Sequence, residues 1–207
     1  VKASLLAVVA AALAASSSGL GGAGSVTLRA RSTVIRSDER PVLLGEISSG
    51  QAGEYVAVQG KECGVPGAFF RGIAGATTTD GGGWTTDQII QRTTTAYRAV
   101  WKHSVSAPLT VRQRINVWLI RTGKRFQVGV SGEVGNWDSK RVTIQRLTTV
   151  GWRRLTSVVV RSQGVITVAR RGGLRFSVPK GTLLRAVLSL AQARPCYLAG
   201  YSQLIHA

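Results

Sequence analysis

The chain has 207 residues, with 27 Lys+Arg against 9 Asp+Glu, a formal net charge of +18, 2 Cys, 2 His and no Met. That length allows one or two domains, and 44% hydrophobic content is enough to bury real cores. Alternating apolar runs continue almost to the C-terminus, which excludes whole-chain disorder as well as collagen, coiled-coil and multi-span membrane patterns. Nine carboxylates and two imidazoles leave most catalytic schemes short of parts.

Lys2 precedes an apolar run from Leu5 to Ala14, followed by Ser16-Ser17-Ser18 and a glycine-rich stretch. A short positive end, an apolar centre and a small-residue exit predict a secretory signal over 1–24, with Ala12-Leu13-Ala14 as one cleavage motif. The apolar run is too short to cross a bilayer comfortably, and no later segment has the length to do so. The remainder is therefore expected to be secreted, in the extracellular space or the cell envelope, with no transmembrane segment after signal removal.

Period-two alternation rich in Val, Ile, Thr and aromatics predicts strands, separated by Gly, Asp and Pro. In the first half these are 26–35, 42–48, 54–61, 69–78, 84–90, 94–101 and 107–112. In the second half they are 115–121, 125–131, 141–147, 152–160, 165–178 (bent or broken), 182–190 and 196–205. Helical periodicity is weak throughout; 182–193 is the one stretch open to a helical reading.

The two halves share a pattern. Tyr55-Val56-Ala57-Val58-Gln59 and Arg141-Val142-Thr143-Ile144-Gln145 both alternate and end in Gln, offset by 86. Each leads through a turn to an aromatic, Phe69-Phe70 or Trp152. Thr95-Ala96-Tyr97-Arg98-Ala99-Val100 then aligns with Thr182-Leu183-Leu184-Arg185-Ala186-Val187, offset by 87, with Thr, Arg, Ala and Val in register. A period of that length is too long for a solenoid and predicts a small β domain written twice, over 25–113 and 114–207. About seven strands per half predicts two antiparallel β-sandwiches.

On these residues the chain resembles the tandem immunoglobulin-like domains of secreted bacterial surface proteins. Thr79-Asp80-Gly81-Gly82-Gly83-Trp84 resembles their Asp-Gly turn and aromatic strand opening. Thr94-Thr95-Ala96-Tyr97-Arg98-Ala99 resembles the penultimate strand, where a Tyr anchors the corner. Ala99 stands where antibody domains have Cys, and Leu184 replaces the Tyr in the second half. The resemblance implies an all-β fold of two tandem antiparallel immunoglobulin-like sandwiches after a signal peptide. It says little about function, because sandwiches host many unrelated activities.

Cys63 and Cys196 lie one in each half. In an oxidising compartment such a pair is expected to form a bridge between the halves, the alternative being two separate buried thiols. No Cys-x-x-Cys or paired His accompanies them, so neither a metal nor a cofactor is expected.

Charge is uneven: no acidic residue follows Asp138, while 139–207 holds twelve Lys+Arg, most of them Arg. A solvated face and a face for polyanions both fit that pattern. Gly135-Asn136-Trp137-Asp138-Ser139 reads as a polar turn with an exposed indole beside Lys140 and Arg141, able to stack on a sugar or to cap its own sheet. Arg153, Arg154, Arg170 and Arg171 complete the candidate ligand or polyanion contacts.

Catalytic arrangements are weak. His103 and His206 have no acid nearby in sequence, and Asp80 is better explained as a turn residue than as half of a carboxylate pair with Asp87. Gly81-Gly82-Gly83 precedes neither a helix nor a Lys-Ser/Thr pair, so it is not a phosphate loop. No groove-reading or RNA-binding motif appears, so any nucleic-acid contact would be nonspecific and salt-dependent. The expectation is a non-catalytic, exported cell-envelope or extracellular interaction module, whose basic faces contact an anionic wall polymer or polysaccharide. A carbohydrate-binding protein using Trp137 and arginines is the runner-up, and a hydrolase comes third.

Overall fold

The computed structural model describes residues 24–163, 166–168, 174 and 176–207. The expected export signal therefore lies outside the described residues except for Gly24, as do Arg170 and Arg171. The protein is all-β, built from several antiparallel sheets. Among the described residues no helix is long and apolar enough to cross a membrane.

The first half forms β1 (Arg29–Ala30), β2 (Val34–Ile35), β3 (Leu43–Glu46), β4 (Tyr55–Glu62), β5 (Arg71–Thr77), β6 (Gly83–Thr86), β7 (Thr95–Trp101), β8 (Ser104–Val105) and β9 (Leu109–Gln113). One sheet runs β1-β3-β6; the other runs β2-β9-β7-β4-β5, with β8 beside β7. The predicted strand 26–35 is broken because the Ser32 hydroxyl donates to Val34 O and accepts from Val34 N. Such a local bond competes with the ladder. The chain leaves the first sheet there, and β2 pairs in parallel with β9 in the second.

The second half forms β10 (Asn116–Thr122), β11 (Arg125–Ser131), β12 (Arg141–Thr148), β13 (Gly151–Val159), β14 (Arg161–Gln163), β15 (Ile166–Val168), β16 (Leu183–Leu188), a single helical turn α1 (Leu190–Ala193), β17 (Gly200–Tyr201) and β18 (Ile205–His206). Its sheets run β10-β11-β15-β14 and β13-β12-β16-β17, with β18 beside β16. The predicted strand 165–178 reduces, among the described residues, to β15 and a bridge from Leu174 to Phe126. The stretch 182–193 is strand first and helical only in its last turn.

Alternation puts every second side chain of β7 and β16 inside, together with Val56 and Val58 of β4 and Val142 and Ile144 of β12. Two apolar clusters result. One joins Leu43 and Trp84 to Val56, Val58, Tyr97, Ala99 and Val111. The other joins Val117, Phe126, Val128 and Val130 to Val142, Ile144, Leu184, Ala186 and Leu188.

The segment after α1 ties the halves together. Cys196 is bonded to Cys63, with the Cα atoms 5.4 Å apart. Its carbonyl accepts from Thr94 N at 3.1 Å and from the Thr93 hydroxyl at 3.2 Å. Leu198 N donates to Gln113 O and Leu198 O accepts from Ile115 N. The buried Tyr197 hydroxyl donates to Arg92 O, and Arg92 pairs with Glu133. Gly200 passes so close to Ile115 that a Cβ there would lie 2.2 Å from the Ile115 carbonyl oxygen.

Candidate polyanion-contact face

Val142 and Ile144 of β12 are fully buried, so Arg141, Thr143 and Gln145 lie on the outward face. Residues directly opposite on neighbouring strands share that face. Gln145 is opposite Arg154 on β13 and Arg185 on β16. Thr143 is opposite Ser157 and Val187, and Arg141 is opposite Val159. The register shift in β13 against Ile144 and Gln145 brings Arg154 level with Gln145.

Contacts fix the centre of this row. Arg185 Nε donates to Gln145 Oε1 at 2.8 Å. Its guanidinium carbon lies 4.1 Å from the centroid of Trp152 and 5.2 Å from that of Tyr201. Two rings beside the guanidinium orient its plane, and cation–π attraction holds it there. The Thr143 and Ser157 hydroxyls are 3.2 Å apart one row away. Arg141 and Arg154 are exposed.

The first half carries the same centre. Arg98 Nε donates to Gln59 Oε1 at 2.7 Å, and its guanidinium lies 4.4 Å from the Phe70 centroid. Gln59 is opposite Arg98 across β4 and β7, as Gln145 is opposite Arg185, and both β4 and β12 shift register at this Gln. Ser106 and Ser202 repeat another detail: each hydroxyl accepts from the strand amide of Ala99 or Ala186 and donates to the next carbonyl.

Around that centre the halves differ. Gly72 stands opposite Gln59 where Arg154 stands opposite Gln145. Ala57 and Gly75 take the places of Thr143 and Ser157, and Tyr55 that of Arg141. The Tyr55 ring lies over Gly75, where a Cβ would meet its hydroxyl at 2.2 Å. Val105, opposite Val100, occupies the place of Tyr201, opposite Val187.

Trp137 is not exposed. It is 6% accessible, its Nε1 donates to Gly132 O at 3.1 Å, and its ring meets Tyr197 edge-on with centroids 5.4 Å apart. The polar turn around it is real, but Tyr197, sixty residues on in sequence, covers the indole, so no face is left for a sugar. Lys140 is half-buried and its backbone pairs with Val160. Arg153 is exposed and opposite Arg146, one position off the row of Arg154. Of the predicted contacts, Arg141 and Arg154 thus share one face. Thr143, Gln145, Ser157, Trp152, Arg185 and Tyr201 join them there. The Gln and Arg coincidences at offsets of 86 and 87 were the signal for that centre.

The groups considered for catalysis are placed apart. His103 and His206 are both exposed, and His206 Nδ1 is 3.3 Å from Gly181 O. Asp80 lies in the turn, although the side chain that closes it is Thr79, whose hydroxyl donates to Gly83 O. Asp87 accepts from Gln88. Glu54 accepts from Trp101 Nε1, Ser49 and Lys102, and the Lys102 bond above all holds its carboxyl below the usual range. Burial pushes the Tyr97 and Tyr197 phenols up. Among the described residues no group of three or more His, Cys, Asp or Glu could hold a metal ion.

No protein-family model matches the chain, and no curated protein matches it.

The long-range field has the same asymmetry as the face. Residues 25–113 carry ten Lys+Arg against seven Asp+Glu, whereas 114–207 carry sixteen against two, a balance of +3 against +14. Three of the four ion pairs among described residues, Arg36–Asp38, Arg71–Glu62 and Lys102–Glu54, lie within the first half. The fourth, Arg92–Glu133, spans the halves.

Proposed function

We propose that the chain is an exported protein of two tandem immunoglobulin-like β-sandwiches, arisen by duplication, that works without catalysis as a cell-envelope or extracellular interaction module. Its second half contacts anionic polymers outside the cell. The observation that carries this reading is the outward row Arg154–Gln145–Arg185, set in a half whose charge balance is +14. Excess charge of one sign on a rigid sheet attracts polyanions and speeds their encounter. Supporting the sandwich reading, each half has two sheets that share one apolar cluster. Supporting the duplication, the Gln–Arg–aromatic centre and the Ser–amide contact occur in both halves.

A sugar-binding role through Trp137 loses its residue, because the indole is covered. The test is a binding screen on anionic wall polymer, neutral glycan and DNA across a salt series. Retention on the anionic glycan-type polymer at low salt, fading by roughly 300 mM as screening sets in, is the expected result. Absence of retention at low salt would remove the polymer-contact function and leave an architectural one.

A further inference from the structure

The aromatic-clamped guanidinium is common to both halves, so the clamp alone does not distinguish them. What the second half adds is chemistry directed at a ligand. Arg185 and Arg98 alike spend Nε on a Gln, and among the described residues nothing accepts from the Nη atoms of either, so the addition is the pair Arg154 and Arg141. No hydrogen bond or ion pair among those residues engages the guanidinium of Arg154 or of Arg141. Two Nη donors in a fixed plane form the fork that binds an oxyanion through paired bonds. Arg154, on the far side of Gln145, supplies a second cation in the same row.

Resting on the polyanion reading, we infer that the outward face of β13-β12-β16 is a binding site for an acidic polysaccharide, with Arg154 and Arg185 holding one carboxylate or sulfate group and Arg141 a second. Arg141 lies four residues from Gln145 along β12, about 13 Å at the rise of a strand. A single small anion cannot reach both ends; a chain bearing charges at intervals can. Neutral donors and acceptors lie between the cations: Gln145, Thr143 and Ser157, beside the half-exposed ring of Tyr201. Hydroxyl-sized hydrogen-bonding groups and an open ring match sugar units between the charges; phosphate oxygens accept from the same donors, so the polyphosphate probe decides between the two chemistries. The first half serves as the built-in comparison, since Gly72, Ala57, Gly75 and Tyr55 leave its face without these groups and cover part of it.

The experiment measures binding of the full chain to heparin and to polygalacturonate at low salt, with dextran and polyphosphate as the other probes. Arg154→Gly, the first-half residue at that position, is expected to weaken binding to both acidic glycans about tenfold or more, as loss of a charge-assisted contact implies. Arg154→Lys keeps the charge and loses the fork, and is expected to recover only part of the affinity. Arg153→Gly removes the same charge off the row and is expected to cost only about twofold, through the field alone. Gly72→Arg, at a position with open space around its would-be Cβ, is expected to strengthen binding by creating a second row. Thermal melting of each variant separates binding loss from unfolding. Equal weakening by Arg153→Gly and Arg154→Gly overturns the site while leaving charge-driven contact in place. Polyphosphate bound as tightly as the glycans, with the same response to Arg154→Gly, overturns the glycan assignment. No binding to any probe at low salt overturns the polyanion reading itself.

Discussion

The outward faces of β5-β4-β7 and β13-β12-β16 share one ladder and one buried pattern, yet present different chemistry. Both hold an Arg against a Gln and an aromatic ring. One surrounds that centre with Gly72, Gly75, Ala57 and a Tyr55 ring laid over the backbone; the other surrounds it with Arg154, Ser157, Thr143 and Arg141. The difference separates what both sheets share from what only the second presents. A guanidinium held by a ring and an amide stiffens the outer surface wherever it occurs. Arg141 and Arg154, whose guanidinium groups have no partner among the described residues, have no such task, and like charges on one face repel unless an anion joins them.

The comparison holds only while the two halves stay fixed to each other, so the largest expected effect is at their junction. Replacing both Cys63 and Cys196 with Ala is expected to cost about 4 kcal/mol by the loop-closure argument, read from denaturant unfolding. Hydrogen exchange should then rise first at the amides of Thr94 and Leu198, which bond across the junction. Loss of protection at core strands before these amides would break the comparison. Gly200→Ala comes next. Its new methyl would meet the Ile115 carbonyl, a backbone atom that cannot swing aside, and a cost of about 1–3 kcal/mol is expected from such overpacking.

Arg98→Met and Arg185→Met sharpen the comparison. Each removes one cation–π stack and one side-chain bond, so each is expected to lower stability by about 1 kcal/mol, to a similar extent. Glycan affinity should fall in the second variant and not in the first. Smaller still is the acid response of the first half. Glu54 is held below the usual carboxylate range by Lys102, so its contribution is present above the ordinary pKa and fades as pH falls through the lowered one. Stability curves of the protein and of Glu54→Gln should therefore converge on acidification. At the other extreme, the raised Tyr97 and Tyr197 phenols contribute stability that is complete below about pH 10, the ordinary phenol value, and lost as pH climbs beyond it.

Much of the fold was legible because alternation is a local signal. Runs such as 55–59 and 141–145 carry their buried face in the order of their residues, and the structure places strands there. Breaks were harder. The end of β1 depends on one hydroxyl of Ser32 turning to Val34, a choice hidden inside an otherwise strand-like run. The recurring Gln and Arg were visible as coincidences, but not as touching groups, since strand order across a sheet is a tertiary property. Arg154 reaches their row only through a register shift that no spacing reveals. Trp137 was misleading for the opposite reason: its neighbours Asn136 and Asp138 are polar, while the residue that buries it, Tyr197, is distant in sequence.

Whether one face of the second half meets a polyanion can be read by arginine-selective chemical labelling with and without heparin, residue by residue by mass spectrometry. Heparin is expected to shield Arg141 and Arg154 strongly, while exposed first-half arginines such as Arg29, Arg31 and Arg112 keep their reactivity. Even shielding of arginines in both halves, or shielding confined to the first, would contradict that contact.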